Sequence, residues 1–168
     1  MEVKATVKLT AKELYGFLMH NTYSTFGSYI GVLLSLGSIA GFFYMLGMPD
    51  VNPAFLVALL VIGLLFTVVQ PLMLYSKAKK QVKVNEAINA SLEYLISKSG
   101  IKVSQGEQSA FTTWDEIVKV TSTKNLVMLY TSRVNAYVIP KKDLKEGISE
   151  LKKLIQDNCN AGYIKLWK

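Results

Sequence analysis

A chain of 168 residues has room for one or two compact domains, and 51% of this one is hydrophobic, with a formal net charge of +7. The apolar residues are too unevenly placed for one ordinary soluble core: no charged side chain occurs from Asn21 to Pro49 or from Val51 to Ser76, and Asp50 alone separates the two stretches. The single cysteine, Cys159, excludes an internal disulfide framework and agrees with a reducing compartment.

The chain opens on an alternation in which Val3, Ala5, Val7 and Leu9 are interleaved with Lys4, Thr6 and Lys8. Period two predicts a half-buried strand, and an isolated strand needs a sheet, for which the only candidate lies in the C-terminal part. Thr10 and Glu13 have capping-box spacing and predict a short helix from Ala11 to about His20. A cleaved signal peptide would instead open on a short basic segment running directly into an apolar one, so none is expected.

The two uncharged stretches each exceed the roughly 20 apolar residues that cross a hydrocarbon core of about 30 Å. Spans are expected at about 27–48 and 54–75, with residues 49–53, Pro-Asp-Val-Asn-Pro, as the turn. The alternative, a buried hairpin in a soluble protein, requires a polar stripe on each helix, and the run Phe55 to Phe66 has none. Lys4, Lys8 and Lys12 precede the first span, and Lys77, Lys79, Lys80 and Lys83 follow the second, while the turn has no lysine. Positive flanks stay cytoplasmic, so both termini are expected on that side. The organisation read is thus a cytoplasmic strand and helix over 1–26, a transmembrane hairpin over 27–76 and a cytoplasmic domain over 77–168.

Within that last part, strands are expected at Leu92–Ser97, Ile101–Ser104, Ser109–Thr113, Val118–Ser122, Leu126–Thr131 and Ala136–Ile139, with Pro140 ending the series. Asp143 and Glu146 have capping-box spacing and open a helix with an apolar stripe of Leu144, Ile148, Leu151, Leu154 and Ile155. The fold class is therefore an α+β membrane protein: a two-helix transmembrane hairpin plus an antiparallel β meander closed by a C-terminal amphipathic helix, the plan of a pleckstrin-homology-like domain.

The hairpin, then Gly100-Ile101-Lys102-Val103, Thr113-Trp114-Asp115-Glu116-Ile117-Val118-Lys119-Val120, Val138-Ile139-Pro140-Lys141 and the closing helix together resemble the YcxB-like family of small bacterial membrane proteins. The resemblance covers nearly the whole chain. It implies a bacterial pleckstrin-homology-like domain in the cytoplasm, and it brings no catalytic residue and no cofactor.

The individual residues point to structure before chemistry. His20 lacks the partners of a metal site, and Cys159 has no second histidine to activate it as a nucleophile. Trp114 reads as a core residue with Ile148, Leu151 and Ile155, against the alternative of a ligand-pocket wall. Asp115 and Glu116 are adjacent, so in a strand they face opposite sides, and in a turn they cap. Arg133, the only arginine, reads as a turn tip. Gly27, Gly31 and Ser35, with Gly37 and Gly41, let a helix approach closely; the expected partner is the second span, with its Ala58 and Gly63, and the alternative is another protomer. Gln70-Pro71 predicts a kink or water contact, not a transport site.

From Lys77 onward sixteen basic side chains stand against nine acidic ones. Lys77, Lys79, Lys80 and Lys83 beside the second span, with Lys141, Lys142 and Lys145 at the closing helix, are read as a basic patch toward the anionic lipid surface of the bilayer. No nucleic-acid motif competes. A head-group pocket would gather cations around one strand-strand loop, and the sequence displays no such cluster. Three functions from different classes follow: a membrane-anchored binding or scaffold module for a lipid or an unknown protein partner, an accessory subunit of a transporter or of an envelope-stress or immunity system, and a membrane enzyme, last for want of a nucleophile-base pair or metal ligands.

Overall fold

The computed structural model describes residues 2–85, 88, 90–144 and 147–166, and the chain divides into two compact units, Met1–Phe17 with Gln81–Lys168 and Leu18–Lys80. The class is α+β, with helices and antiparallel sheets.

In the first unit, strand β1 (Val3–Val7) pairs antiparallel with β2 (Leu92–Ser97), Val3 opposite Ile96 and Val7 opposite Leu92. The N-terminal strand thus finds its sheet across the intervening helices. Strands β3 (Gly100–Gln105) and β4 (Gln108–Thr112) complete a sheet of order β1-β2-β3-β4. The β2–β3 turn depends on Gly100, which has φ +149°, and a Cβ there would lie 2.3 Å from the Thr112 carbonyl oxygen.

A 3₁₀ turn at Trp114–Glu116, closed by a capping box between Thr113 and Glu116, leads to the second sheet. That sheet has β5 (Lys119–Ser122), β6 (Leu126–Tyr130) and β7 (Ala136–Pro140), antiparallel, with β8 (Ile164–Lys165) parallel to β5. The expected single meander is therefore two four-stranded sheets, one with a parallel edge. Pro140 is the last residue of β7, an edge strand, where a missing N–H costs no ladder bond, and only the two-residue β8 follows later in the chain.

The closing helix also differs from expectation. A short helix α5 (Lys141–Leu144) takes Leu144 out of the stripe, and α6 (Ile148–Asn158) starts after Gly147, so Asp143 does not cap it. Glu146 and Lys145 lie outside the described residues. Leu151, Leu154 and Ile155 are buried among Val7, Ile96, Ile101, Trp114, Val127 and Ile139, and Ile148 packs against that core. Each such side chain contributes about 1.5–3 kcal/mol of transfer free energy.

All five residues of β6 are buried. Val127 and Leu129 belong to the core, while the opposite side is covered by helix α1 (Ala11–Tyr23) through Leu14 and Phe17, whose ring lies 6.1 Å from that of Tyr130. Gly16 brings the helix close, a Cβ there lying 3.3 Å from Leu126 Cδ1.

The second unit holds α2 (Phe26–Leu46) and a longer helix from Pro53 to Val84, composed of α3 (Pro53–Leu64), a π turn (Leu65–Val69) and α4 (Gln70–Val84). With 21 and 32 residues both are long and apolar enough to cross a membrane. Of their most apolar stretches only 11% and 6% is buried within the chain. Between them Asp50 has φ +63°, a left-handed conformation that Asp tolerates, and the Asn52 side chain caps α3 by accepting from the Ala54 N–H at 2.9 Å.

Candidate functional site

Two places concentrate polar chemistry, one in each unit. In the helical unit the small residues divide into two sets. Ser35 is buried and donates its hydroxyl to the carbonyl of Gly63, which also accepts from Thr67 Oγ1 at 2.7 Å. Gly31 faces the Phe66 ring, Gly63 faces Ile39 and Gly41 faces Leu59. A Cβ at Gly31 or Gly63 would come within 2.6 Å of those side chains, so the close approach requires glycine. Gly27 and Gly37 face open space and Ala58 is exposed, so these three lie away from the helix pair's contact.

The π turn leaves one carbonyl to be satisfied from elsewhere. The Gln70 N–H donates to Leu65 O, one residue further back than in an α-helix, and the next residue, Pro71, has no N–H to give Phe66 O. The Tyr23 hydroxyl fills that vacancy. In place of a simple proline kink, the helix holds a π turn closed by a side chain from α1. The Gln70 Oε1 atom is buried with no hydrogen-bond partner.

In the sheet unit a cleft of about 370 Å³ opens between the first turns of α1, the β5–β6 turn and the start of α5. Lys12, Lys124, Lys141 and Lys142 line it, with Thr10, Thr123 and Asn125 as neutral polar neighbours and Leu126 and Pro140 as apolar ones. Glu13 is the one carboxylate among its lining residues. It pairs with Lys142 and accepts the Thr10 N–H at 2.7 Å. Burial raises the Glu13 carboxyl, but the Lys142 and Thr10 bonds outweigh it and hold the group below its ordinary value. Lys142, largely exposed, is raised by the same pair. Burial lowers Lys141. Asp143 is raised, first by burial, while Lys142 opposes and Glu13 reinforces that shift.

The basic patch read from the sequence does not include all of these groups. Lys77, Lys79, Lys80 and Lys83 are exposed along α4, with Lys79 Nζ 4.8 Å from the Tyr75 ring centre, and Lys145 lies outside the described residues. Lys12 and Lys124 are brought to Lys141 and Lys142 by topology: α1 crosses the β5–β6 turn, and the Lys141 N–H donates to Asn125 O at 2.8 Å. The β5–β6 turn itself contributes one of the four lysines, Lys124, and the helices α1 and α5 bring the other three beside it. A basic residue inside the Thr123–Asn125 turn was the only available signal.

Trp114 and Cys159 both lie in the core of the sheet unit. Trp114 is buried, and its indole N–H donates to Ser97 O at 3.0 Å. Cys159 is buried, and burial raises its thiol, so it is held protonated. Among the described residues no group of His, Cys, Asp and Glu could hold a metal ion.

A family model described as YcxB-like protein matches residues 96–155, which run from β2 through most of α6. Uncharacterized protein YcxB of Bacillus subtilis (strain 168) is 29% identical over 112 residues, covering 66% of this chain and 60% of that protein. The chain therefore spans about 60% of the length of the curated relative it matches. No solved structure matches. The matched segment contains Trp114, strands β5, β6 and β7 and the β5–β6 side of the lysine cleft, and over it the chain is similar to the YcxB-like family.

Proposed function

We propose that the chain is a membrane-anchored binding or scaffold module, in which α2 and the long helix from Pro53 cross the bilayer and a pleckstrin-homology-like sheet unit works at its cytoplasmic face. The observation that carries this reading is the apolar surface of two helices, 21 and 32 residues long and almost wholly unburied, inserted between the two halves of one folded sheet unit. Two four-stranded sheets closed by α6 support the finer fold assignment. Lysines flanking the spans, and none in the Asp50 turn, support cytoplasmic termini. The exposed lysines of α4 suit an anionic leaflet, at about 1 kcal/mol each.

Membrane fractionation with alkaline carbonate and then mild detergent tests the anchoring: the chain should resist carbonate and dissolve only in detergent. Release by carbonate would refute it. A second reading, an accessory subunit of a transporter or of an envelope-stress or immunity system, draws on the shallow groove of about 390 Å³ beside Ile30, Leu34, Gly37 and Leu59, where a Cβ at Gly37 would meet nothing. A stoichiometric membrane partner copurifying in detergent would favour it.

A further inference from the structure

We propose that the cleft between α1, the β5–β6 turn and α5 binds a phosphoryl group, deepening the binding-module reading on which it rests by naming the chemistry of the ligand. Lys12, Lys124, Lys141 and Lys142 come from three separate segments and meet around one space of about 370 Å³, the size of a small-ligand site. The carboxylate among them, Glu13, is already engaged with Lys142 and with the Thr10 amide.

Gathering like charges at one place is unfavourable unless something of the opposite sign offsets it. Four cations against one acid leave a surplus that a dianion would neutralise. The lining also suits a compact anion. Thr10 and Asn125 add polar side chains, and Leu126 and Pro140 exclude water from one side. Lysine binds phosphate as a point charge and needs no fork geometry, so the absence of arginine from the lining is no obstacle. The burial that lowers Lys141 would be relieved by an anion beside it.

A phosphate monoester on a lipid head group and a free phosphate compound share this chemistry, and the test separates them. The full chain is purified in mild nonionic detergent and titrated with inorganic pyrophosphate, then reconstituted in phosphatidylcholine nanodiscs with or without phosphatidic acid. Binding is read by calorimetry in the first arm and by a thermal shift in the second. Lys12 and Lys124 are exposed, so Lys12→Gln with Lys124→Gln should leave the fold intact while weakening binding at least tenfold. The control pair Lys98→Gln with Lys153→Gln removes the same charge outside the cleft lining and should change binding less than twofold. Binding in the pyrophosphate arm assigns a free ligand, and binding only with phosphatidic acid assigns a lipid. Lack of binding in both arms, or equal weakening by the two pairs, would overturn the proposal. The anchoring is scored separately, by whether the chain enters the nanodiscs at all.

Discussion

The Tyr23 hydroxyl donates to the carbonyl of Phe66 at 2.5 Å, supplying the hydrogen bond that Pro71 cannot. An unpaired buried carbonyl costs about 1–3 kcal/mol. Tyr23→Phe should destabilise the helical unit by that order in detergent unfolding. In a Pro71→Ala background an N–H is available to Phe66 O, and the same change should cost much less. Equal costs in the two backgrounds would mean that the hydroxyl is not standing in for the proline.

Gly63→Ala should destabilise the helix pair by about 1–3 kcal/mol through overpacking, because the new Cβ meets Ile39 Cγ1 at 2.6 Å and the Ile39 backbone nitrogen at 3.3 Å. Gly37→Ala meets nothing and should be neutral or stabilising by up to about 1 kcal/mol from helix propensity. Unfolding midpoints of the purified chain distinguish them. A Gly37→Ala change that instead dissociates a copurifying partner would support the accessory-subunit reading.

The Glu13 carboxyl, held below its ordinary value, contributes stability that is present above the unfolded-state pKa of about 4.3 and is lost as pH falls through the lower folded value. Glu13→Gln should therefore lower the denaturation midpoint at pH 7, and the difference from the parent chain should fade in strong acid. Asp143, raised by burial, titrates in both proteins and largely cancels from the comparison. A difference that persists unchanged down to pH 2 would show that the Lys142 pair is not its source.

Val7 is fully buried opposite Leu92, so Val7→Ala should cost about 1–3 kcal/mol, felt as lost protection of amides throughout β2 and β3 in hydrogen exchange. Loss confined to β1 would mean that the strand only decorates the sheet.

Much of this architecture was legible in local pattern. The alternation of Val3 to Leu9 and the apolar stripe of Ile148 to Ile155 each report the face they bury, and the absence of charge from Asn21 to Pro49 and from Val51 to Ser76 reports two long apolar helices little buried within the chain. What was not legible is long-range. The split of the strands into two sheets depends on the Trp114 turn, and β8 is two residues long. Burial of both faces of β6 needs α1 from the other end of the chain, and so does the meeting of Lys12 with Lys124. The satisfaction of Phe66 O beside Pro71 can be read only when Tyr23 is known to be next to Phe66.

The most direct test of the membrane-inserted account is the sidedness of two introduced thiols. Cys159 is buried with its thiol held protonated, so it should stay silent whichever way the chain faces, and the parent protein serves as the blank. Asn52→Cys, in the turn between the helices, and Glu107→Cys, exposed in the β3–β4 turn, are each treated with an impermeant maleimide in intact cells. The account predicts labelling at position 52 without permeabilisation and at position 107 only after it. Labelling at 107 in intact cells, or none at 52, would contradict it.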